Sequence, residues 1–522
     1  MQVDSRVRDA TWFCVRRNGA AKRKGWTSVP LSACANAVGA HSGDVVEVCV
    51  STDYRPVPTA RPLRVFSNRV RGVVGMELTC GEEHLRLAPS HMIASNLGFD
   101  RAIERFLHRQ NASIDDFAAN GGLRAFSAKQ FLIPCDGEAE QIELFRGATL
   151  VTPIPPGDAG RAAEALADGL AGWMLRNLSA DGGLPYKYWP SRGEESPADN
   201  AIRRFLASLS LARLGALRGD AEIRDAARRN LRFNLTRYFR NIGGGRGAIV
   251  ERTGAKLGAA ALAALVILEN PASAEFLPEL TMLAAGVDSL ADDEAGFRTF
   301  FFPPERDGDN WNFYSGEALL FWAEALRRGA AVAPSLERWA AAFGRCRERH
   351  YRSRNPAFVP WHTQACASMF EQTGRREYAD FALEISDWLL PMQQWDEPAD
   401  LPADLQGRFY NPRHPEFGPP HAASTGAYLE GLADALALAH RIGDRTRADA
   451  YQRVIARGLR SLRQLQFRDW RDAFYVSKPH RVMGALRTEA YDNTIRVDSA
   501  AHALAAAVKL LRQRLQSADG RT

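Results

Sequence analysis

The sequence predicts a mainly α-helical protein: a ring of helical hairpins preceded by a small β-rich or α+β module. The main observation is a unit that recurs between about residues 160 and 515, with a turn rich in aromatic and polar residues, an Ala/Leu-rich helix and a second helix. The turns start roughly 50 to 75 residues apart, a period that fits two helices and their loops, at Asp181, Glu251, Asp307, Phe358, Gly418 and Asn493.

Closure of these hairpins into a ring is the second expectation. One hairpin cannot bury its apolar face alone, whereas several side by side share a core, either as an open solenoid or as a closed ring. Solenoid repeats resemble one another, but these repeats diverge while each keeps aromatic and ionisable residues before its first helix. Divergent side chains at the same end of every unit indicate an active site at the mouth of a ring.

Composition limits the class of protein. The chain has 522 residues, of which 46% are hydrophobic and 25% charged, as in soluble globular proteins. It has no apolar run of about 20 residues for a membrane span and no signal-peptide pattern, so we expect a cytoplasmic protein. The seven cysteines are scattered and never in a CxxC arrangement, which predicts reduced, mostly buried thiols rather than zinc ligands.

The formal charge of +6 comes almost wholly from arginine, since only seven of the 67 basic residues are lysine. Guanidinium groups suit carboxylates, sulfates and phosphates. An Ala- and Arg-rich composition is equally typical of a GC-rich genome, so both an anionic ligand and a composition bias remain open. No lysine-rich tail or aromatic RNA-binding signature points to nucleic acid.

Residues 1–150 form the predicted N-terminal module. Short β-favouring runs separated by Gly/Pro turns predict strands, namely DVVEVCVSTDY, LRVFS, VRGVVGMELTC and HLRLAP. Apolar residues at helical spacing predict one helix over residues 92–110. A second short helix is expected over residues 114–119, with Ser113 as its N-cap.

Residues 151–160 are a predicted Pro/Gly linker, and Asp158 or Gly160 is the expected start of the first ring helix. The helical ring is assigned to residues 161–516 and a flexible tail to residues 517–522. Helical periodicity is clearest over residues 161–178 and 378–395, and no strand pattern is expected in this half.

The densest candidate site follows the first turn. Tyr186 is a candidate base, Asp199 a candidate acid or base, and Asn200 and Arg203 are spaced to face the same way on a helix. Aromatic rings in this loop suit stacking on sugar rings, and the candidates are Tyr188 and Trp189. The alternative is that Asp199 or Asn200 is an N-cap and that the aromatic residues belong to the core.

A second candidate site lies in the segment DGDNWNFYSGEALLFW, which starts at Asp307. Glu317 is a candidate general acid or base if its pocket is apolar enough to raise its pKa, with Trp311 as a binding residue. Alternatively, Glu317 lies in the first turn of a helix capped by Ser315, where the helix dipole favours an acid.

His362 and His421 follow prolines at matching places in consecutive repeats. Histidine titrates near neutrality and suits proton transfer or carboxylate binding, although a histidine at a helix start is often structural. Both residues are catalytic candidates.

Two carboxylates, Glu430 and Asp498, lie on strongly apolar helices, where an unpaired charge is costly. Arg496 and His502 are the expected partners of Asp498. Glu430, Arg496 and Asp498 are therefore candidate binding residues, with a purely structural ion pair as the alternative.

Several common motifs are missing, including HExxH, GxSxG, a Walker loop and GxGxxG. The glycine-rich NIGGGRGA from Asn241 follows a helical segment, which makes it a poor phosphate loop. We therefore predict no cofactor and no metal site from motifs, although scattered Asp and His residues leave metal dependence open.

About 350 residues resemble the six-hairpin (α/α)6-toroid superfamily of carbohydrate-active proteins, which includes glycosidases, unsaturated-uronyl hydrolases and the helical domain of glucuronyl C5-epimerases. The segments that carry the resemblance are DGGLPYKYWP, VPWHTQACASMFEQTG, YADFALEISDWLL and STGAYLEGLADALALAHRIGD. The resemblance implies a cleft at the ring mouth, lined at the inner helix starts, and an accessory role for the N-terminal module. No catalytic motif matches closely enough to carry a mechanism over.

Two functions follow from these patterns. The first is an enzyme acting on an acidic, uronate-type saccharide: Glu317 with Asp199 favours hydrolysis, whereas Tyr186 or His362 with Arg203 favours epimerisation or elimination. The second is a non-catalytic ring that binds or helps assemble an anionic polymer, polysaccharide or polypeptide. An enzyme requires a deep pocket with two ionisable groups of perturbed pKa, and a binding module requires a shallow Arg-lined groove.

Overall fold

The N-terminal module is built on one antiparallel sheet. A computed structural model describes residues 10–136, 140–270, 272–396 and 398–518. The strand order is β2-β1-β3-β6-β4-β5, with β7 pairing β6, and the strands are β1 (Thr11–Arg17), β2 (Ala20–Thr27), β3 (Val45–Pro56), β4 (Val74–Cys80), β5 (Glu83–Leu87), β6 (Gly122–Pro134) and β7 (Ile142–Leu144). Four helices accompany this sheet, namely α1 (Leu31–Ala37), α2 (Pro89–Ala94), α3 (Phe99–Gln110) and α4 (Ile114–Asn120).

The sequence predicted part of this module correctly. Strand β4 lies within a predicted run, β3 and β5 overlap predicted runs, and Ser113 caps α4 in a capping box with Asp116. The run LRVFS is wrong as a strand because Pro62–Arg64 forms a 3-10 turn. The single helix over residues 92–110 is also wrong: Asn96 has a left-handed φ of 48°, which separates α2 from α3.

In the part of the chain that the structure describes, twelve helices form the ring, six outside and six inside. The outer helices are α5 (Ala159–Asn177), α7 (Ala221–Tyr238), α9 (Leu277–Ser289), α11 (Leu336–Arg352), α13 (Arg376–Leu389) and α15 (Arg445–Leu465). The inner helices are α6 (Ala201–Arg218), α8 (Leu257–Glu269), α10 (Trp311–Arg327), α12 (Val359–Thr373), α14 (Ala422–Arg441) and α16 (Val497–Ala518). Each inner helix packs against the next, and α16 packs against α6. The predicted mainly α fold with a β-rich N-terminal module is therefore confirmed.

Each of the six repeated turns leads into one inner helix, as the repeat predicted. The expectation that this half has no strands is wrong, because short strands form in the connections between helices. They are β8 (Lys187–Trp189), β9 (Glu194–Glu195), β10 (Phe239–Gly243), β11 (Arg246–Glu251), β12 (Gly254–Lys256), β13 (Ala291–Asp292), β14 (Gly296–Phe297), β15 (Phe300–Phe302), β16 (Arg487–Glu489) and β17 (Asp492–Arg496). Each has at most six residues, too few for a clear alternation.

The glycine-rich loop, the start of the first ring helix and the cysteines were also addressed by the sequence. The glycines of NIGGGRGA turn the β10–β11 hairpin, so this loop does not open a helix. Helix α5 begins at Ala159, with Asp158 in the N-cap position. All seven cysteines are free, and five of them are buried. Among the described residues, no helix is both long and apolar enough to cross a bilayer.

Small residues allow the inner helices to approach closely. A Cβ added to Gly431 on α14 would lie 2.9 Å from the Cα of Pro360 on α12, and one added to Gly426 would lie 2.8 Å from the backbone nitrogen of Ala503 on α16. Both contacts are with backbone, which cannot move aside as a flexible side chain can. The Ala/Gly-rich inner helices therefore pack backbone against backbone.

This packing predicts opposite effects for one substitution at two glycines. We expect Gly431→Ala to lower the free energy of unfolding by about 1–3 kcal/mol, because the new methyl group overpacks the α12–α14 contact. In the control Gly344→Ala, on outer helix α11, the new Cβ meets nothing within 4 Å. We expect that control to gain roughly 0.5–1 kcal/mol from helix propensity. Urea unfolding measures both, and equal effects of the two substitutions would contradict close packing of the inner ring.

Candidate active site

A cavity of about 490 Å³ lies at the ring mouth, and all six inner helices contribute to its lining. This volume is in the range of small-molecule sites. Its ionisable lining residues are Arg203, Lys256, Arg306, Tyr314, Glu317, Tyr410, His421, Tyr428, Arg496, Asp498 and His502. The convergence expected from the repeats is therefore present.

Glu317 is the buried acid of this cavity. Its Oε2 lies against Gly258 of α8, where an added Cβ would be 2.0 Å away, and none of the described groups hydrogen-bonds to it. Burial raises the pKa of Glu317 to about 8, and Glu430 adds to the effect while Lys256 opposes it. Glu317 is thus protonated near neutral pH and suited to donate a proton.

His502 is held by a buried carboxylate. Its Nδ1 lies 3.1 Å from Oε2 of Glu430, which identifies Nδ1–H as a donor and leaves Nε2 with the lone pair when the ring is neutral. Arg213 supports Glu430 from below, 3.3 Å from its Oε1, and also binds Glu269 at 2.8 Å. Burial opposes ionisation of Glu430, but the bond from His502 and the nearby cations outweigh it and lower its pKa. A histidine oriented in this way is suited to act as a base.

Two arginines share one carboxylate in the lining of the cavity. Arg203 and Arg496 lie 3.0 Å and 2.5 Å from Oδ2 of Asp498. Burial opposes ionisation of Asp498, and the two guanidinium groups outweigh it and lower its pKa. The cluster therefore has two positive charges for one negative charge, which favours an anionic group of a ligand.

His421 caps helix α14 and lines the cavity. The backbone N–H of Ser424 donates to its Nδ1 at 3.0 Å, so the neutral ring, by this assignment, carries its proton on Nε2. Burial lowers the pKa of His421 to about 4, with Arg496 contributing. At neutral pH the ring is uncharged, caps α14 and has an N–H left for a ligand.

Aromatic residues form much of the wall. Tyr314 and Tyr428 come from inner helices, and burial raises the pKa of both phenols. The long connection between α13 and α14 adds Phe409, Tyr410 and Phe417. Such rings suit the apolar faces of a sugar.

Six sequence candidates line the cavity, namely Asn200, Arg203, Glu317, His421, Arg496 and Asp498. Asn200 is also the N-cap of α6, so both interpretations of it hold. The alternative for Glu317 is wrong in detail, because α10 begins at Trp311 and Ser315 lies inside it.

Three catalytic candidates lie outside the lining. The hydroxyl of Tyr186 accepts a hydrogen bond from Arg203. Asp199 is bound by Arg204 at 2.5 Å and by the hydroxyl of Tyr238 at 2.5 Å. His362 is fully buried, bonds the carbonyl of Phe358 at 2.7 Å and has its pKa lowered to about 3 by burial. All three support the scaffold.

Four binding candidates are also outside the lining. Tyr188 is buried, and the Trp189 ring contacts Arg192 at 4.9 Å. Trp311 is a core residue beside Phe358. Glu430 is not a lining residue and contacts His502, which is one.

The lining residues that were not among the candidates from the sequence include His502, Lys256, Tyr314 and Tyr428. His502 was expected to pair with Asp498, but Arg203 takes that place and His502 binds Glu430. One signal was present: a carboxylate on an apolar helix needs a partner, and Glu430 had none nearby in sequence. Among the described residues, no group of three or more His, Cys, Asp or Glu side chains is arranged to hold a metal ion.

No family model matches the chain, and no curated protein matches it. Similar solved structures include a sugar epimerase from a ruminal bacterium, with 12% identity and a TM-score of 0.43, covering 56% of this chain and 85% of that one. The α-1,6-mannanase GH76A of Salegentibacter sp. HEL1_6, in an inactive form with α-1,6-mannotriose, has 11% identity and a TM-score of 0.48, covering 68% and 99%. An unsaturated glucuronyl hydrolase specific for heparin has 11% identity and a TM-score of 0.44, covering 69% and 99%. At these identities the likeness concerns the fold alone.

The raised pKa of Glu317 predicts a pH-dependent stability. The folded state holds this proton up to about pH 8, whereas the unfolded chain releases it near the ordinary glutamate pKa of 4.5. The favourable contribution of the protonated form is therefore lost as the pH rises between these values, by at most about 1.4 kcal/mol per pH unit. Urea unfolding at pH 5 and pH 8 should show a steeper loss for the native chain than for Glu317→Gln. Parallel curves would contradict a proton on Glu317.

Because His421 caps α14, we expect asparagine to replace it with less loss of stability than alanine. Asparagine caps helices well, so we expect His421→Asn to keep nearly all the stability. Alanine leaves the N–H of Ser424 without its cap, and we expect His421→Ala to lower the free energy of unfolding by about 1 kcal/mol. Equal losses in urea unfolding would exclude a capping role.

Proposed function

We propose that this protein is an enzyme that acts on an acidic, uronate-type saccharide by acid–base chemistry in the ring cavity. The observation that carries the proposal is Glu317, a buried carboxyl with a pKa of about 8 and an Oε2 that no described group bonds. It lines the same cavity as His502, whose ring a second buried carboxylate orients. An acid that keeps its proton and a base that is free to accept one make a catalytic pair.

The arginine pair supports an anionic substrate. Arg203 and Arg496 share the single carboxylate of Asp498, and Lys256 and Arg306 add two further cations to the lining. A planar guanidinium fork matches a carboxylate group. The carboxylate of a uronate residue, with its sugar ring against the aromatic wall, satisfies both features.

The arrangement favours proton abstraction beside the carboxylate over hydrolysis. Hydrolysis normally needs a second free carboxylate opposite the acid, but Asp498 is bound by two arginines and Asp199 lies outside the lining. In the proposed reaction, Nε2 of His502 removes the proton from the carbon that bears the carboxylate. The electron pair moves into that carboxylate, where Arg203 and Arg496 stabilise the added charge.

Glu317 then supplies a proton. Its transfer to the same carbon gives the epimer, and its transfer to a leaving oxygen on the next carbon gives an unsaturated sugar. The N–H of His421 is a further donor to the substrate. The sequence-based expectation of a cytoplasmic location belongs to this proposal, and the seven free thiols support it.

The test is an assay of the full-length protein in deuterated water with uronate-containing oligosaccharides and with the same oligosaccharides after reduction of their carboxyl groups to alcohols. We expect deuterium at the carbon beside the carboxylate, or an unsaturated product, only with the uronate substrates. Glu317→Gln and His502→Asn should each lower kcat by about 10²- to 10⁴-fold. Arg496→Met should remove the preference for the uronate form.

The matched control is Glu337→Gln, an exposed residue on outer helix α11, which should leave kcat unchanged. New reducing ends without deuterium incorporation would identify a hydrolase and overturn the proton-abstraction step. Binding of the uronate oligosaccharides without any turnover would instead favour the non-catalytic ring.

A further inference from the structure

The N-terminal module contacts the ring at two segments that lead to cavity residues. One is the connection between α13 and α14, which carries Asp404 and, a few residues later, Phe409 and Tyr410. The other is β17, which runs directly into Arg496 and the start of α16. Both segments end in the lining of the cavity.

The first contact is a buried ion pair across the two parts of the chain. Arg146, just after β7, lies 2.6 Å from Asp404, and their side chains are 1% and 2% exposed. The same guanidinium donates to the carbonyl oxygens of Arg69 at 2.7 Å and Arg71 at 2.5 Å. Loss of Arg146 would leave Asp404 as a buried, unpaired charge, which is strongly destabilising locally.

A cation–ring contact continues this path to the cavity. The guanidinium of Arg69 lies 4.8 Å from the centre of the Tyr410 ring, and Tyr410 lines the cavity. Arg146 therefore holds the backbone of Arg69, whose guanidinium in turn lies over the Tyr410 ring of the cavity wall. The wall segment also bonds to the ring itself, because Arg408 lies 3.1 Å from Glu489 of β16.

The second contact fixes β17. Asn96, the residue that separates α2 from α3, donates to Asp492 at 3.0 Å. Asn493 donates to the carbonyl oxygen of Ile93 on α2 at 2.9 Å. The left-handed turn that ends α2 is thus also a contact surface for the strand that presents Arg496.

We propose that the N-terminal module is a working part of the active site: it positions the Tyr410 wall and the Arg496 strand, and Arg146 is the positioning residue for the wall. The module reaches two segments of the cavity lining through Arg146, Arg69 and Asn96. Only the kinetic part of the test rests on the proposed function. The structural part stands independently of catalysis.

The test is hydrogen–deuterium exchange of the full chain, read on peptides that cover residues 401–411 and 490–496. The amides of Gly407 and Tyr410 are bonded to Gln394 and Met392, so their exchange reports the wall. We expect Arg146→Met and Asp404→Asn each to speed exchange over 401–411 by about tenfold or more. Arg69→Ala keeps the backbone carbonyls that accept from Arg146. It should therefore speed exchange only in the 401–411 peptide, which contains Tyr410.

The control is Asp44→Asn, which weakens the ion pairs of the buried Asp44 with the partly exposed Arg17 and Lys22, wholly inside the module. It should leave exchange over 401–411 unchanged. With a uronate oligosaccharide that the native protein turns over, Arg146→Met should raise KM by about tenfold with a smaller change in kcat, whereas Glu317→Gln lowers kcat. A shift in kcat alone would contradict a positioning role.

Unchanged exchange over 401–411 in both Arg146→Met and Arg69→Ala would overturn the proposal, as would equal loosening in Asp44→Asn. If Arg146→Met does not fold, Arg69→Ala decides alone, since it removes one partly exposed side chain. If the native protein turns over no saccharide, the exchange result still decides the role of the module, and only the proposed function fails.

Discussion

The last inner helix, α16, packs against the first, α6, and this contact removes the two free edges that an open row of hairpins would have. Closure depends on small residues such as Gly426 and Gly431, because they allow helix backbones to touch. Once the ring is closed, the N-terminal ends of six helices must meet around one axis. The cavity is therefore a consequence of the packing, and every inner helix contributes to it.

The same closure decides the charges of three carboxyl groups. All three are buried, but Glu430 and Asp498 have cations within hydrogen-bond distance and stay ionised. Glu317 lies against Gly258 without a described hydrogen-bond partner for Oε2, so burial raises its pKa and it keeps its proton. Three buried carboxyl groups in one ring thus differ in charge: Glu317 is protonated, and Glu430 and Asp498 are ionised. The difference depends on which residues the neighbouring helices place beside each carboxyl group. This division is the physical basis of the proposed acid, base and anion-binding groups.

The N-terminal module extends this argument beyond the ring. In its described residues, the α13–α14 connection forms short 3-10 turns and a β-bridge between Gln393 and Phe409, without a helix or longer strand to stiffen a wall. The buried Arg146–Asp404 pair and the Arg69–Tyr410 contact supply that stiffness from outside. On the proposal made above, this bracing of one wall segment is the contribution of the β-rich module to the cavity.

The sequence by itself determined the architecture, because the six turns before six Ala/Leu-rich segments depend on local composition and periodicity. It also pointed to Glu317, Arg203, Arg496, Asp498 and His421, since polar groups at apolar helix starts stand out in a linear pattern. Only the tertiary structure decided which of the sequence candidates line the cavity. His362 and Asp199 have the same sequence signal as His421 and Glu317, yet they bond to Phe358 and to Arg204 and lie outside it. The partnership of His502 with Glu430 joins residues on different helices, and the role of Arg146 joins different parts of the chain. Such contacts depend on how helices rotate and dock, which local sequence does not encode.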